Sequence, residues 1–112
     1  MIESLFSKGN HFSHFPFKVI WLLENKEEVL QAAIGVSSRN FKKATDRNRI
    51  KRLMREAYRL QKEPLKHHLK QHNRKLSVFI LYTGKELPDY ETVYEKTGSI
   101  INRLIKFSDE TS

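Results

Sequence analysis

Residues 43–56, KATDRNRIKRLMRE, combine six cations with only two acids. Projected on a helix at about 100° per residue, Arg47, Lys51, Arg52 and Arg55 fall in one sector and the apolar residues in another. The predicted apolar stripe contains Ile50, Leu53, Met54, Ala57 and Leu60. A solvated helix usually places acids about four residues from its cations to relieve repulsion, but Glu56 projects outside the basic sector. The pattern predicts a basic face that binds a polyanion, and the alternative is a face that is merely solvated.

The spacing within this basic face favours nucleic acid as the polyanion. Arg47, Lys51 and Arg55 follow one another at about 6 Å along the helix axis, which is close to the spacing of phosphates in an extended strand. Asn48 and Tyr58 project into the same sector, where an amide and a phenol can hydrogen-bond sugars or base edges. Tyr58 fits equally well at the edge of the core.

Other residue combinations give little support for catalysis by the polypeptide. His68 and His72 have the i,i+4 spacing of a zinc-binding pair, but no third ligand is evident nearby in the sequence, and His67 does not supply one. Asp46 and Glu56 are separated by about 15 Å along one helix, too far for a general acid–base pair. No glycine-rich phosphate loop, nucleophile elbow or catalytic triad is visible. We therefore expect neither a catalytic residue nor a metal site in this chain.

Composition supports a binding role. The 112 residues include 21 Lys and Arg against 13 Asp and Glu, for a net charge of +8, which favours a polyanionic partner. Cysteine is absent from the sequence, which suits a reducing cytosol. No run of about 18 apolar residues predicts a membrane span, and no signal peptide is recognisable. We expect one cytoplasmic domain covering residues 1–112.

Periodicity and turn residues predict an α+β fold in the order αββαβα. A short helix is expected at 2–8. A strand at 15–23 would form a hairpin with a strand at 30–37. The basic helix would start at a Thr45 or Asp46 cap and run to about 62. A helical segment at 65–75, a central apolar strand at 76–83, a helix at 90–107 and a frayed tail at 107–112 complete the prediction.

The basic segment resembles the signature K-A-x-x-R-N-x-x-K-R-x-x-R-E of the bacterial ribonuclease P protein component. The matching residues are Lys43, Ala44, Arg47, Asn48, Lys51, Arg52, Arg55 and Glu56. The segments FKVIWLL, IGVSSR and SVFILYT are also similar to strands of that family. The resemblance implies a two-layer α/β sandwich with a mixed sheet of about four strands and a left-handed βαβ crossover.

The resemblance also implies a function in tRNA 5′-end maturation. The protein would bind a large catalytic RNA and the 5′ leader of precursor tRNA, and the ribonucleoprotein would remove the leader by Mg²⁺-dependent hydrolysis. The Mg²⁺ and the active site would lie mainly in the RNA, and no obligate protein partner is implied. Two alternatives remain: an RNA-binding or ribosome-associated module without a role in cleavage, and a free-standing nuclease.

Two sets of residues take roles from the resemblance. Those expected to contact RNA are Lys43, Arg47, Asn48, Lys51, Arg52, Arg55 and Arg59. Those expected to form the leader-binding cleft are Phe6, Lys18, Ile20 and Ser37. The family often has an aromatic residue where Ile20 stands, so this sequence departs from the pattern at a position where a base would stack.

Overall fold

The computed structural model describes residues 7–23 and 28–110. Four strands are present in these ranges: β1 (Asn10–His14), β2 (Phe17–Leu23), β3 (Leu30–Val36) and β4 (Leu76–Tyr82). Three helices follow the third strand and flank the fourth: α1 (Ala44–Gln61), α2 (Glu63–Gln71) and α3 (Tyr90–Glu110). The helix predicted at 2–8 lies almost entirely outside the described residues. None of the helices in the described ranges is long and apolar enough to cross a membrane.

The strands form one mixed sheet in the order β1-β2-β4-β3. β2 pairs antiparallel with both β1 and β4, whereas β3 and β4 are parallel. Parallel neighbours need a long connection, and here α1 and α2 provide it. The predicted α+β class with a mixed sheet of about four strands is confirmed, as is the central position of β4.

The predicted hairpin between the second and third strands is wrong. β4 lies between β2 and β3, and β2 forms its hairpin with β1 instead. The predicted strand at 15–23 also begins two residues too early, because Phe15 and Pro16 form the β1–β2 turn. β4 is apolar on both of its faces, so it gains most from a central position with a neighbour on each side.

The core lies between the sheet and the helices. β2 and β4 contribute one face, with Val19, Trp21, Val78 and Ile80 among its buried residues. Ile50, Met54 and Ala57 of α1 are buried against the same core, as predicted, and Leu53 packs at its edge. Leu60 was predicted there but is 52% exposed. Beside it the Gln61 amide donates to the Tyr94 carbonyl oxygen over 2.8 Å, so a polar contact joins this end of α1 to α3.

The helix ends differ from the prediction in detail. α1 begins at Ala44, and its N-cap, Lys43, makes no side-chain hydrogen bond. The predicted cap at Thr45 or Asp46 is therefore wrong, although Asp46 in the first turn has the charge that the helix dipole favours. α2 confirms the helix predicted at 65–75, although it begins two residues earlier and ends four residues earlier. α3 continues to Glu110, three residues beyond its predicted end.

Candidate nucleic-acid interface

The start of α1 is anchored to the end of the sheet. The Asn40 side-chain amide donates to the carbonyl oxygens of Thr83 and Gly84 over 3.1 and 3.3 Å. Phe41 is buried and packs on Tyr82, with 6.1 Å between the ring centroids. These contacts hold the loop before the helix against the end of β4, so the basic segment starts from a fixed position.

Arg47 has a structural role that its sequence position did not reveal. Its Nη1 donates to the carbonyl oxygens of Phe41 and Lys42 over 2.7 and 2.8 Å. The guanidinium thereby closes the loop onto the first turn of α1. Because a guanidinium has five N–H groups, the remaining donors can still contact an RNA phosphate.

Most of the predicted RNA-binding residues are presented to solvent. Lys43, Asn48, Arg52 and Arg55 are exposed, and Lys51 is half-buried. Arg49, which the signature does not include, is exposed as well. In the ranges 7–23 and 28–110, none of these cations forms an ion pair with a carboxylate. The predicted basic face is therefore present and is not neutralised at these positions.

Arg59 is the exception. Its Nη2 lies 2.6 Å from Oε1 of Glu56, and its Nε donates to the second carboxylate oxygen. The hydrogen bond from Arg59 lowers the pKa of Glu56. The expectation that no acid would neutralise the basic face from within is thus wrong at this end of the face, because two long side chains three residues apart can reach each other.

Tyr58 lies at the edge of the core. It is half-buried and packs against the core cluster, and burial raises the pKa of its hydroxyl. It also lines a depression beside Lys62 and Lys66. The edge-of-core interpretation is confirmed, and the hydroxyl stays protonated at neutral pH.

A cleft of about 750 Å³ lies on the face of the sheet opposite the core. Side chains from β1, β2 and β4 that alternate with the core residues line it: His11, Ser13, Lys18, Ile20, Phe79 and Leu81. Lys18 and Ile20 thus meet in one cleft, and its binding of a leader stays a prediction. Ile20 is only 8% exposed, so it forms the floor of the cleft.

Phe79 supplies an aromatic surface that sequence reasoning missed. It stands directly opposite Ile20 in the β2–β4 register and is half-buried. A Cβ added to Gly35 would lie 2.8 Å from Cζ of Phe79, so the ring covers the glycine of β3. The alternation of side chains along the strand LSVFILY could have predicted this position, because Phe79 and Leu81 face away from the core residues Val78 and Ile80.

The other two predicted cleft residues have different outcomes. Ser37 follows β3, where its amide donates to the Tyr82 carbonyl oxygen over 3.2 Å. Its side chain is half-buried and is not among the residues that line the cleft. Phe6 lies outside the described residues, so its assignment stays a prediction.

An exposed basic helix and a cleft on an open sheet face are features of small nucleic-acid-binding α+β proteins. The family model described as Ribonuclease P matches residues 1–105. The chain therefore belongs to the ribonuclease P protein family, whose members are the protein components of an endoribonuclease of tRNA processing. The resemblance read from the basic signature is confirmed.

Similar proteins agree with this assignment. The ribonuclease P protein component of Porphyromonas gingivalis strain W83 is 34% identical over 94 residues, a match that covers 82% of this chain and 69% of the relative. The ribonuclease P protein of Staphylococcus aureus has a TM-score of 0.69 at 17% identity, over 96% of this chain and 87% of that one. The Thermotoga maritima protein has a TM-score of 0.68 at 23% identity, over 91% and 89% of the two chains. At these identities the two structures support the fold alone.

Proposed function

We propose that this chain is the cytoplasmic protein subunit of ribonuclease P, which binds the catalytic RNA through the basic face of α1. The subunit also holds the 5′ leader of precursor tRNA in the sheet cleft and assists Mg²⁺-dependent endonucleolytic removal of that leader. The observation that carries the proposal is the set of solvent-presented cations on α1, within the family's signature, that have no carboxylate partner among the described residues.

Electrostatics supports an RNA partner for α1. Lys51, Arg52 and Arg55 lie on neighbouring turns and, within the described residues, have no carboxylate partner to reduce their mutual repulsion. Phosphates would remove this repulsion and would release condensed counterions, which provides a large share of the binding free energy. Asn48 lies beside them and can hydrogen-bond ribose or a base edge.

The cleft has the chemistry of a site for single-stranded nucleic acid. Phe79 offers an aromatic surface for a base, and base–aromatic stacking is worth about 1–3 kcal/mol. Lys18 is exposed at the same cleft and can pair with a phosphate. We infer that Phe79, on the neighbouring strand, substitutes for the aromatic residue that the family often has at the position of Ile20.

The Mg²⁺ of the proposed reaction fits the RNA better than the described part of the protein. Mg²⁺ prefers carboxylate, phosphate and water oxygens in octahedral geometry. Glu56, which follows Arg55 on α1, is engaged by Arg59. This chain's residues would instead neutralise phosphates and position the leader, and bound Mg²⁺ would supply the activated water and charge stabilisation at the RNA.

Reconstitution separates the proposal from its alternatives. Purified protein is added to the catalytic RNA of the same source at a low Mg²⁺ concentration at which that RNA alone is slow. The proposal predicts restored cleavage at the 5′ end of the mature tRNA sequence, and no cleavage by RNA-free protein. RNA binding without restored cleavage would indicate a module with no role in processing, and cleavage by RNA-free protein would indicate a free-standing nuclease.

A further inference from the structure

Three potential metal ligands meet where α2 lies beside the end of α3. His68 lies in α2 and His72 is the C-cap residue one turn further on, with 4.4 Å between their ring centroids. Asp109, in the last turn of α3, joins them, and one ligand atom from each residue lies within 4.8 Å of the other two. The sequence showed the histidine pair, and the fold supplies the third ligand.

We propose that His68, His72 and Asp109 bind a divalent transition-metal ion of the Zn²⁺ or Co²⁺ type. Two imidazoles and a carboxylate are donors that these ions accept, with water in the fourth position of a tetrahedron. Mg²⁺ is a poorer fit because it prefers oxygen ligands. The site lies on different helices from the basic face of α1 and is independent of the proposed function.

The geometry needs only a small adjustment to close around an ion. Metal–ligand bonds of about 2.0–2.1 Å place the ligand atoms of a tetrahedral site roughly 3.3 Å apart. His72 and Asp109 are exposed, so rotation about their side-chain bonds can shorten the separations. His68 is half-buried, and its packing limits the orientations of the ring before an ion arrives.

His68 provides a second observation in favour of a ligand. Its Nε2 is buried and has no hydrogen-bond partner among the described residues. A buried polar nitrogen without a partner is unfavourable and uncommon in folded proteins. Coordination of a cation by this nitrogen would offset the free-energy cost of burying it without a hydrogen-bond partner.

Binding would join the end of α2 to the end of α3. The last turns of α3 already contact the sheet through Phe107, which stacks on Trp21 with 5.6 Å between the ring centroids. A metal ion bound by residues of both helices would attach the end of α3 to α2 as well as to the sheet. Because the ion would bind the folded chain better than the unfolded chain, it would raise the melting temperature.

The test uses the full, untagged chain after removal of metal with a chelator. Co²⁺ is titrated while the visible absorption is recorded, Zn²⁺ is then added as a competitor, and thermal unfolding is followed with and without Zn²⁺. We expect one equivalent of Co²⁺ to give the intense visible band of a low-symmetry site, Zn²⁺ to abolish that band, and Zn²⁺ to raise the melting temperature.

Three variants assign the ligands. His72→Ala and Asp109→Ala change exposed side chains, and each should lose the Co²⁺ band and the Zn²⁺-induced rise in melting temperature. His67→Ala is the matched control, because His67 is an exposed neighbour on α2 outside the cluster, and it should behave as the wild type. Undiminished binding by the first two variants, equal loss in His67→Ala, or no stoichiometric Co²⁺ binding by the wild type would overturn the proposal.

Discussion

The Arg47 guanidinium donates a hydrogen bond of 2.7 Å to the carbonyl oxygen of Phe41. A cation that the signature assigns to RNA therefore also fixes the loop that leads into α1. Phe41 is buried against Tyr82, so this hydrogen bond links the basic helix to the core. Arg47 should consequently behave differently from the other cations of the same face.

Arg47→Ala should lower the free energy of unfolding by about 1–3 kcal/mol, because it removes charge-assisted hydrogen bonds from two carbonyl oxygens. Urea unfolding measures this change. Lys51→Ala and Arg55→Ala, which remove cations without a carboxylate partner in the described structure, should change stability by no more than about 0.5 kcal/mol. Equal stability of Arg47→Ala and Lys51→Ala would show that the hydrogen bonds to the loop contribute nothing.

Binding to the catalytic RNA should distinguish Arg55 from Arg59. If Arg55 neutralises one phosphate, Arg55→Ala should make the slope of log K against log salt shallower by about 0.7–0.9. Arg59→Ala should have a smaller effect, because Glu56 already engages that guanidinium. Glu56→Gln should strengthen binding by freeing Arg59. Equal slopes for the wild type and Arg55→Ala would mean that the basic face is only solvated.

Gly35 and Phe79 should be energetically coupled. A Cβ at position 35 would approach the Phe79 ring to 2.8 Å, so Gly35→Ala should displace the ring and lower stability by about 1–3 kcal/mol. In a Phe79→Ala background the same change should cost less, with a coupling free energy of about 0.5–3 kcal/mol for residues in contact. Additive effects of the two substitutions in urea unfolding would contradict the packing of this cleft.

His14 should make stability depend on pH. Burial, followed by the charges of Lys96 and Arg103, lowers the pKa of His14 below its usual value of 6.5. The unfolded chain therefore binds a proton more readily than the folded chain. The contribution of His14 to stability is fully present above about pH 6.5 and is lost as the pH falls through the folded-state pKa. His14→Gln should flatten the pH dependence of unfolding in this range, and an unchanged profile would exclude the effect.

Helical periodicity predicted the basic helix and its buried stripe of Ile50, Met54 and Ala57. An amphipathic helix that packs on one core has apolar residues every three or four positions, so the sequence alone shows which face is buried. The strand β1 was missed because NHFSH has a single large apolar residue, Phe12. Contacts with α3 hold Phe12 in position. The Arg103 guanidinium lies 4.1 Å from the centroid of the Phe12 ring, and Arg103 also donates to the Ser13 carbonyl oxygen over 3.0 Å. Contacts between residues this far apart in sequence have no local signal.

The pairing of the strands and the full lining of the cleft could not be predicted for a related reason. β4 follows β3 by about forty residues yet inserts between β2 and β3, and nothing in the earlier strands indicates this. Once β4 is central, Phe79 lies opposite Ile20 and over Gly35. The third ligand beside His68 and His72 likewise comes from another helix. Sequence reasoning identified the chemistry of single helices, and the fold was needed to bring separate elements together.

The central claim is that α1 binds the catalytic RNA and that the sheet cleft holds the leader. The most direct measurement compares the affinity of the reconstituted complex for precursor tRNA with its affinity for mature tRNA, using wild type, Phe79→Ala and Lys51→Ala protein at concentrations that saturate the catalytic RNA. The account predicts that Phe79→Ala weakens binding of precursor tRNA by about 1–3 kcal/mol and leaves mature tRNA unaffected, whereas Lys51→Ala requires more protein to saturate the catalytic RNA. Equal losses for both tRNAs in Phe79→Ala, or no loss for either, would contradict the account.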